Sequence, residues 1–121
     1  MELVRLKPEF SVCRISELTQ VDFSREFVFL SKTDDEISLL CESGFVPAGA
    51  AAVEAGWKGL KISGILDFWM IGVISRISSL LAEAGISVFV VSTYNTDYVF
   101  VKAENFDKCA RVLAQNGYDV K

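Results

Sequence analysis

The sequence predicts an α+β protein in two parts, a β-rich N-terminal lobe and a C-terminal domain in the order β-α-β-β-α-β, the ferredoxin-like arrangement. Three observations carry this. Val73, Ile77, Leu80, Leu81 and Ala84 recur at helical spacing, with Ser75, Arg76, Ser79 and Glu83 on the remaining surface. Two runs rich in Val, Ile and Phe, residues 86–94 and 97–101, flank a short polar turn and read as a hairpin. Residues 46–56 (VPAGAAAVEAG) are small and without period, and read as a flexible linker between a lobe at residues 1–56 and a complete domain at residues 57–121.

Taken in order, Phe10, Val12 and Ile15, then residues 27–30, then residues 37–41, are β-branched or aromatic stretches expected as strands. The run Lys32-Thr33-Asp34-Asp35-Glu36 is a hairpin connection between the last two. Residues 16–25 leave room for a helical turn, capped by Ser16 or Thr19. Residues 57–68 read as the first strand of the second domain, and Gly85 ends the amphipathic helix that follows. Asn105 is placed to cap a second helix carrying Phe106, Cys109, Ala110 and Leu113, with Gly117 beyond it and Tyr118-Asp119-Val120 as a closing strand.

The 121 residues are 51% apolar and carry a net charge of −4. Such a chain buries a real core, and its lack of a Lys/Arg block argues against a nucleic-acid partner, which needs cations to neutralise phosphates. No apolar run reaches membrane-spanning length and Met1-Glu2-Leu3-Val4-Arg5 lacks the apolar run of a signal peptide, so a cytoplasmic protein without membrane attachment is expected. There is no histidine, which removes the commonest general base and metal ligand. Cys13, Cys41 and Cys109 are three, widely spaced and without a zinc pattern, and read as buried thiols acting as small hydrophobes. No Gly-rich phosphate loop is present, and no cofactor, metal or enzymatic activity is expected.

Two constellations have the chemistry of a small-molecule site. Asp67-Phe68-Trp69-Met70-Ile71-Gly72 enters a helix whose N-terminal N–H groups attract a carboxylate, and Gly72 allows close approach to backbone. Ser92-Thr93-Tyr94-Asn95-Thr96-Asp97 combines turn-forming side chains with a carboxylate that can pair an amine. Local pattern alone favours the plain structural reading at each, a turn permitted by Gly72 and a hairpin turn whose side chains bond their own backbone. The carboxylates of Asp34, Asp35 and Glu36 lack the spacing and mid-loop Gly of a calcium loop, and read as a solvated hairpin tip.

Gly85-Ile86-Ser87-Val88 followed by Ser92-Thr93-Tyr94-Asn95-Thr96-Asp97-Tyr98 resembles ACT domains. Glu54-Ala55-Gly56-Trp57, Gly64-Ile65-Leu66-Asp67-Phe68 and Asp35-Glu36-Ile37-Ser38 extend that resemblance to the small tandem-ACT subgroup related to the aspartate kinase regulatory region and to CASTOR-type arginine sensors. The resemblance implies a degenerate, mostly β ACT-like lobe followed by a complete ACT domain, non-enzymatic and homodimeric. It further implies a regulatory or sensory role in which a bound amino acid allosterically controls a protein partner. Ligand residues implied by matching position are Asp67, Phe68, Ile71, Gly72 and Val73 from the loop, Ser87 and Val88 from the next strand, and Thr93, Tyr94 and Asp97 from the hairpin. Ile65 stands where the subgroup commonly has Pro. The bulk of Trp69-Met70-Ile71 at the entrance defines the alternative, a structural dimerisation module with a filled, non-binding pocket.

Overall fold

The computed structural model of the protein describes residues 1–66 and 70–121. In chain order the elements are β1 (Glu2–Arg5), β2 (Phe10–Ile15), β3 (Phe29–Lys32), β4 (Ile37–Glu42), β5 (Ala52–Ile62), α1 (Val73–Glu83), β6 (Val88–Ser92), β7 (Asp97–Lys102), α2 (Phe106–Gln115) and β8 (Asp119–Val120). They form two compact units: Met1–Lys7 with Lys58–Lys121, and Pro8–Trp57.

The first unit is a sheet in the order β6-β7-β5-β1-β8 with both helices. β1 lies antiparallel to β5, with Leu3 opposite Ile62, and parallel to β8, with Leu3 opposite Val120. This is a departure from the sequence expectation, which assigned residues 1–56 to one lobe. A four-residue strand has too little pattern to reveal a pairing with residues almost sixty positions away, so β1 was legible neither as a strand nor as a member of this sheet. Alternation along the strands brings Leu3, Leu60, Ile62, Val99 and Val101 into one core with Ile77 and Leu81 of α1 and Cys109 and Leu113 of α2.

The two helices close each other's ends. Arg76 of α1 donates to the Asn116 carbonyl after α2 (3.0 Å), and Lys108 of α2 donates to the Ala84 carbonyl after α1 (2.8 Å). Cations therefore meet the negative ends of both dipoles and satisfy carbonyls that the helix cannot. Asn105 precedes α2 as expected, but its side chain makes no capping bond; a 3₁₀ turn at Ala103–Asn105 leads into the helix instead. Gly59 sits where a Cβ would come within 2.7 Å of the Phe100 ring and 3.0 Å of Leu6, so the strand tolerates no side chain there.

The second unit is all strands and 3₁₀ turns, in the order β3-β4-β2-β5. β2 pairs with β4 from Phe10 opposite Glu42 to Ile15 opposite Ile37. Residues 52–56, expected within a linker, are the first part of β5: Cys13 faces Val53 and Arg14 faces Ala52, with a register shift between Phe10 and Val12. Small residues weaken the strand signal, and the ladder to β2 overrides it. Residues 16–25 hold one 3₁₀ turn, Leu18–Gln20, in which the Gln20 carboxamide accepts from the Ser16 and Glu17 N–H groups. Cys13, Ile15, Leu39 and Cys41 form its core. All three cysteines are buried, and burial pushes the Cys41 and Cys109 thiols up to about 11, which makes them poor nucleophiles at neutral pH.

Candidate functional site

The hairpin tip between β6 and β7 is closed by its own threonines. The Thr93 N–H and hydroxyl both donate to the Thr96 carbonyl (2.8 and 3.0 Å), and the Thr96 N–H donates back to the Thr93 hydroxyl (3.3 Å). Thr96 is only 4% exposed and its hydroxyl donates to the Ile62 carbonyl at the end of β5 (2.8 Å). The Leu66 N–H donates to the Asn95 carbonyl (2.7 Å). These bonds anchor the segment leaving β5 to the hairpin tip.

Gly72 takes a left-handed conformation (φ 80°, ψ 4°) at the N-cap of α1, and its carbonyl accepts from the Arg76 N–H (2.9 Å). Gly72 has no side chain to cap this end, and the first turn holds no acidic residue. The leading N–H groups of a helix stand outside its i→i−4 ladder and carry a partial positive charge. Beside them lies a half-open pocket of about 300 Å³, lined among the described residues by 72–75 on one side, by 92–97 on the other, and by Leu66 and Met70. Asp97, half-buried at the start of β7 and opposite Ser92, is the charged side chain among the described lining residues.

Five of the sequence-derived site residues thus come together: Gly72, Val73, Thr93, Tyr94 and Asp97. Ile71 turns outward, 97% exposed, and borders a separate hollow of about 240 Å³ with Arg76 and Tyr118. Ser87 and Val88 do not line the pocket: Val88 is at the other end of β6, roughly 13 Å along the strand from Ser92 at the usual rise per residue, and its side chain packs on the helix-side core. Asp67 and Phe68 lie outside the described residues. The position-matched set missed Leu66, Met70, Ile74, Ser75, Ser92, Asn95 and Thr96. The polar cluster that attracted attention contains three of these, whereas Ser75 was absorbed into the polar face of a helix. Of the bulky residues thought to close the entrance, Met70 lines the pocket and is 49% exposed, Ile71 points away, and Trp69 lies outside the described residues.

Among the described residues no three His, Cys, Asp or Glu side chains converge as a metal site, and no helix is long and apolar enough to cross a membrane.

The model of the ACT domain family matches residues 52–115. More than half the chain is covered, and the protein belongs to that family, whose members are regulatory rather than catalytic modules. A search of curated proteins finds no match. Among solved structures, a protein from Agobacterium tumefaciens is 29% identical, covers 99% of this chain and 91% of its own, and superposes with a TM-score of 0.86. A protein of unknown function from Vibrio cholerae is 19% identical over 94% of this chain and 88% of its own, with a TM-score of 0.75. The ligand-free regulatory subunit of aspartate kinase from Thermus thermophilus is 9% identical over 93% of this chain and 95% of its own, with a TM-score of 0.65. The last two share the fold.

Proposed function

We propose that the protein is a regulatory amino-acid sensor whose ligand occupies the pocket between the start of α1 and the β6–β7 turn. The observation that carries this reading is the pairing, across one open cavity, of a helix N-terminus that begins at Gly72 with the Asp97 carboxylate. The first suits an α-carboxylate and the second an α-amine, the two groups every free amino acid presents. Membership of the ACT family and the fold shared with an aspartate kinase regulatory subunit support it.

The sensor works as a cytoplasmic homodimer that controls a protein partner. β6 pairs only with β7 among the described residues, so its outer edge has backbone groups available for a second sheet. Ligand held between the helix start and the turn biases which surface that assembly offers its partner.

Isothermal titration with each of the twenty amino acids tests the reading. Saturable heat for at least one, lost or weakened at least about tenfold in Asp97→Ala, is the expected result. Silence from all twenty at millimolar concentration refutes it. Sedimentation equilibrium tests the dimer separately.

A further inference from the structure

We infer that the second unit carries a docking surface for an arginine-bearing segment of a protein partner, and that the chain's own Arg25 occupies that surface until the partner displaces it. The inference does not depend on the amino-acid pocket, since every residue it uses lies in Pro8–Trp57. Charge is the first ground. That unit holds nine Asp or Glu against three Lys or Arg, a net charge of −6, whereas the rest of the chain holds seven against nine, a net charge of +2. A cationic partner is drawn to this unit rather than to the other.

An acidic excess alone marks no site, and the second ground is what the surface already holds. Arg25 lays its guanidinium over the Phe45 ring, 3.6 Å from the centroid, with the Glu42 carboxylate 3.7 Å away. A flat cation on an aromatic face beside a carboxylate is a geometry that suits guanidinium and for which ammonium is a poor substitute. The narrow hollow there is lined, among the described residues, by Asp22, Glu26 and Glu42 with Arg25 as the one cation, so two carboxylates remain in excess. Phe45 stays 43% exposed beneath Arg25, and Phe23, between the lining residues Asp22 and Arg25, is 64% exposed. Aromatic surface at a charged rim suits a partner that brings apolar side chains with its cation.

The contact in place is weak enough to exchange. Arg25 and Glu42 are both partly exposed, and 3.7 Å is beyond hydrogen-bond length, so the pair contributes little. The segment carrying Arg25 is held by other means. The Ser24 N–H donates to the Asp22 carboxylate (3.0 Å), and the Phe27 ring packs edge-on against Phe10 with centroids 6.1 Å apart. The Arg25 side chain can leave while its backbone stays.

The test is fluorescence anisotropy on the intact chain at physiological salt, with a labelled peptide alternating arginine and leucine and its lysine counterpart. The arginine peptide is expected to bind about threefold or more tighter than the lysine one; equal affinities overturn the inference. Arg25→Ala removes the internal competitor and should tighten arginine-peptide binding about threefold or more, a gain that a folding defect cannot mimic. Arg14→Ala deletes the same charge at the far end of the β2–β4 ladder and should give less than half that gain. Equal gains mean bulk charge alone and overturn the inference. Phe45→Ala and Glu42→Gln should each weaken binding about twofold or more, the second with the side chain's shape kept. Unchanged affinity in either overturns the assignment to this surface. Sedimentation equilibrium covers the remaining occupant: self-association that Phe45→Ala abolishes would make the arginine donor a second copy of this chain and overturn the assignment to another protein.

Discussion

The two units each contain a four-residue polar hairpin that begins with threonine, and the two turns close in nearly the same way. In residues 33–36 the Thr33 N–H donates to the Glu36 carbonyl (2.9 Å), and the Glu36 N–H donates to the Thr33 hydroxyl (3.1 Å). In residues 93–96 the equivalent bonds are 2.8 and 3.3 Å. Local chemistry is shared; surroundings are not. Residues 33–36 are all exposed, and Glu36 spends its carboxylate on the neighbouring Ser38 hydroxyl. The other turn has Thr96 buried against the end of β5 and faces the start of α1 across a pocket. A turn becomes part of a site only when a second element stands opposite it.

That dependence on the opposing helix is the most severe thing to test. Ile77, one turn into α1, is buried in the core, and Ile77→Ala should cost about 2–5 kcal/mol in urea unfolding and abolish ligand binding as the helix start loses its seat. Retained affinity at concentrations of denaturant where the variant stays folded would mean that the turn binds unaided. Next in size is Thr96→Val, which leaves the Ile62 carbonyl without its donor and should cost about 1–3 kcal/mol. Glu36→Ala, at the matching position of the exposed turn, should leave the melting temperature unchanged within error. Equal losses from these two changes would erase the distinction between the turns.

Gly72→Ala comes third. A Cβ there meets nothing within 4 Å, so its cost is backbone strain alone at positive φ, about 1–2 kcal/mol by thermal unfolding. A larger loss would show that the helix start depends on more than the glycine's conformation. The smallest effect is expected from Asp34→Tyr with Asp35→Asn, which gives the exposed turn the central residues of the other. Calorimetry should detect no additional amino-acid site, because no helix start faces it; a new binding isotherm would show that turn residues suffice.

Much of the fold was legible along the chain. Helical spacing from Val73 to Ala84 anticipated α1 and its buried Ile77 and Leu81, and the Val/Phe runs around a polar tetrapeptide anticipated β6 and β7. The candidate site was legible in its two halves, the glycine at the helix start and the polar turn with Asp97. Of the position-matched residues, Ser87, Val88 and Ile71 do not line the pocket, because adjacency in a motif does not fix which face of a strand or loop a side chain takes. The linker reading of residues 46–56 failed for its second half because pairing with β2 is a long-range event that small residues do not announce.

What the sequence by itself determined is local: periodicity sets helix against strand, and threonine, asparagine and glycine set the turns, since these depend on bonds within a few residues. Tertiary structure alone decided that Glu2–Arg5 joins the sheet of the helical unit, that Thr96 spends its hydroxyl on Ile62, and that Leu66, Ser75 and Asp97 share one cavity. Each of those depends on groups brought together from distant positions, where burial and hydrogen-bond satisfaction across the whole unit, not neighbouring residues, choose the partner.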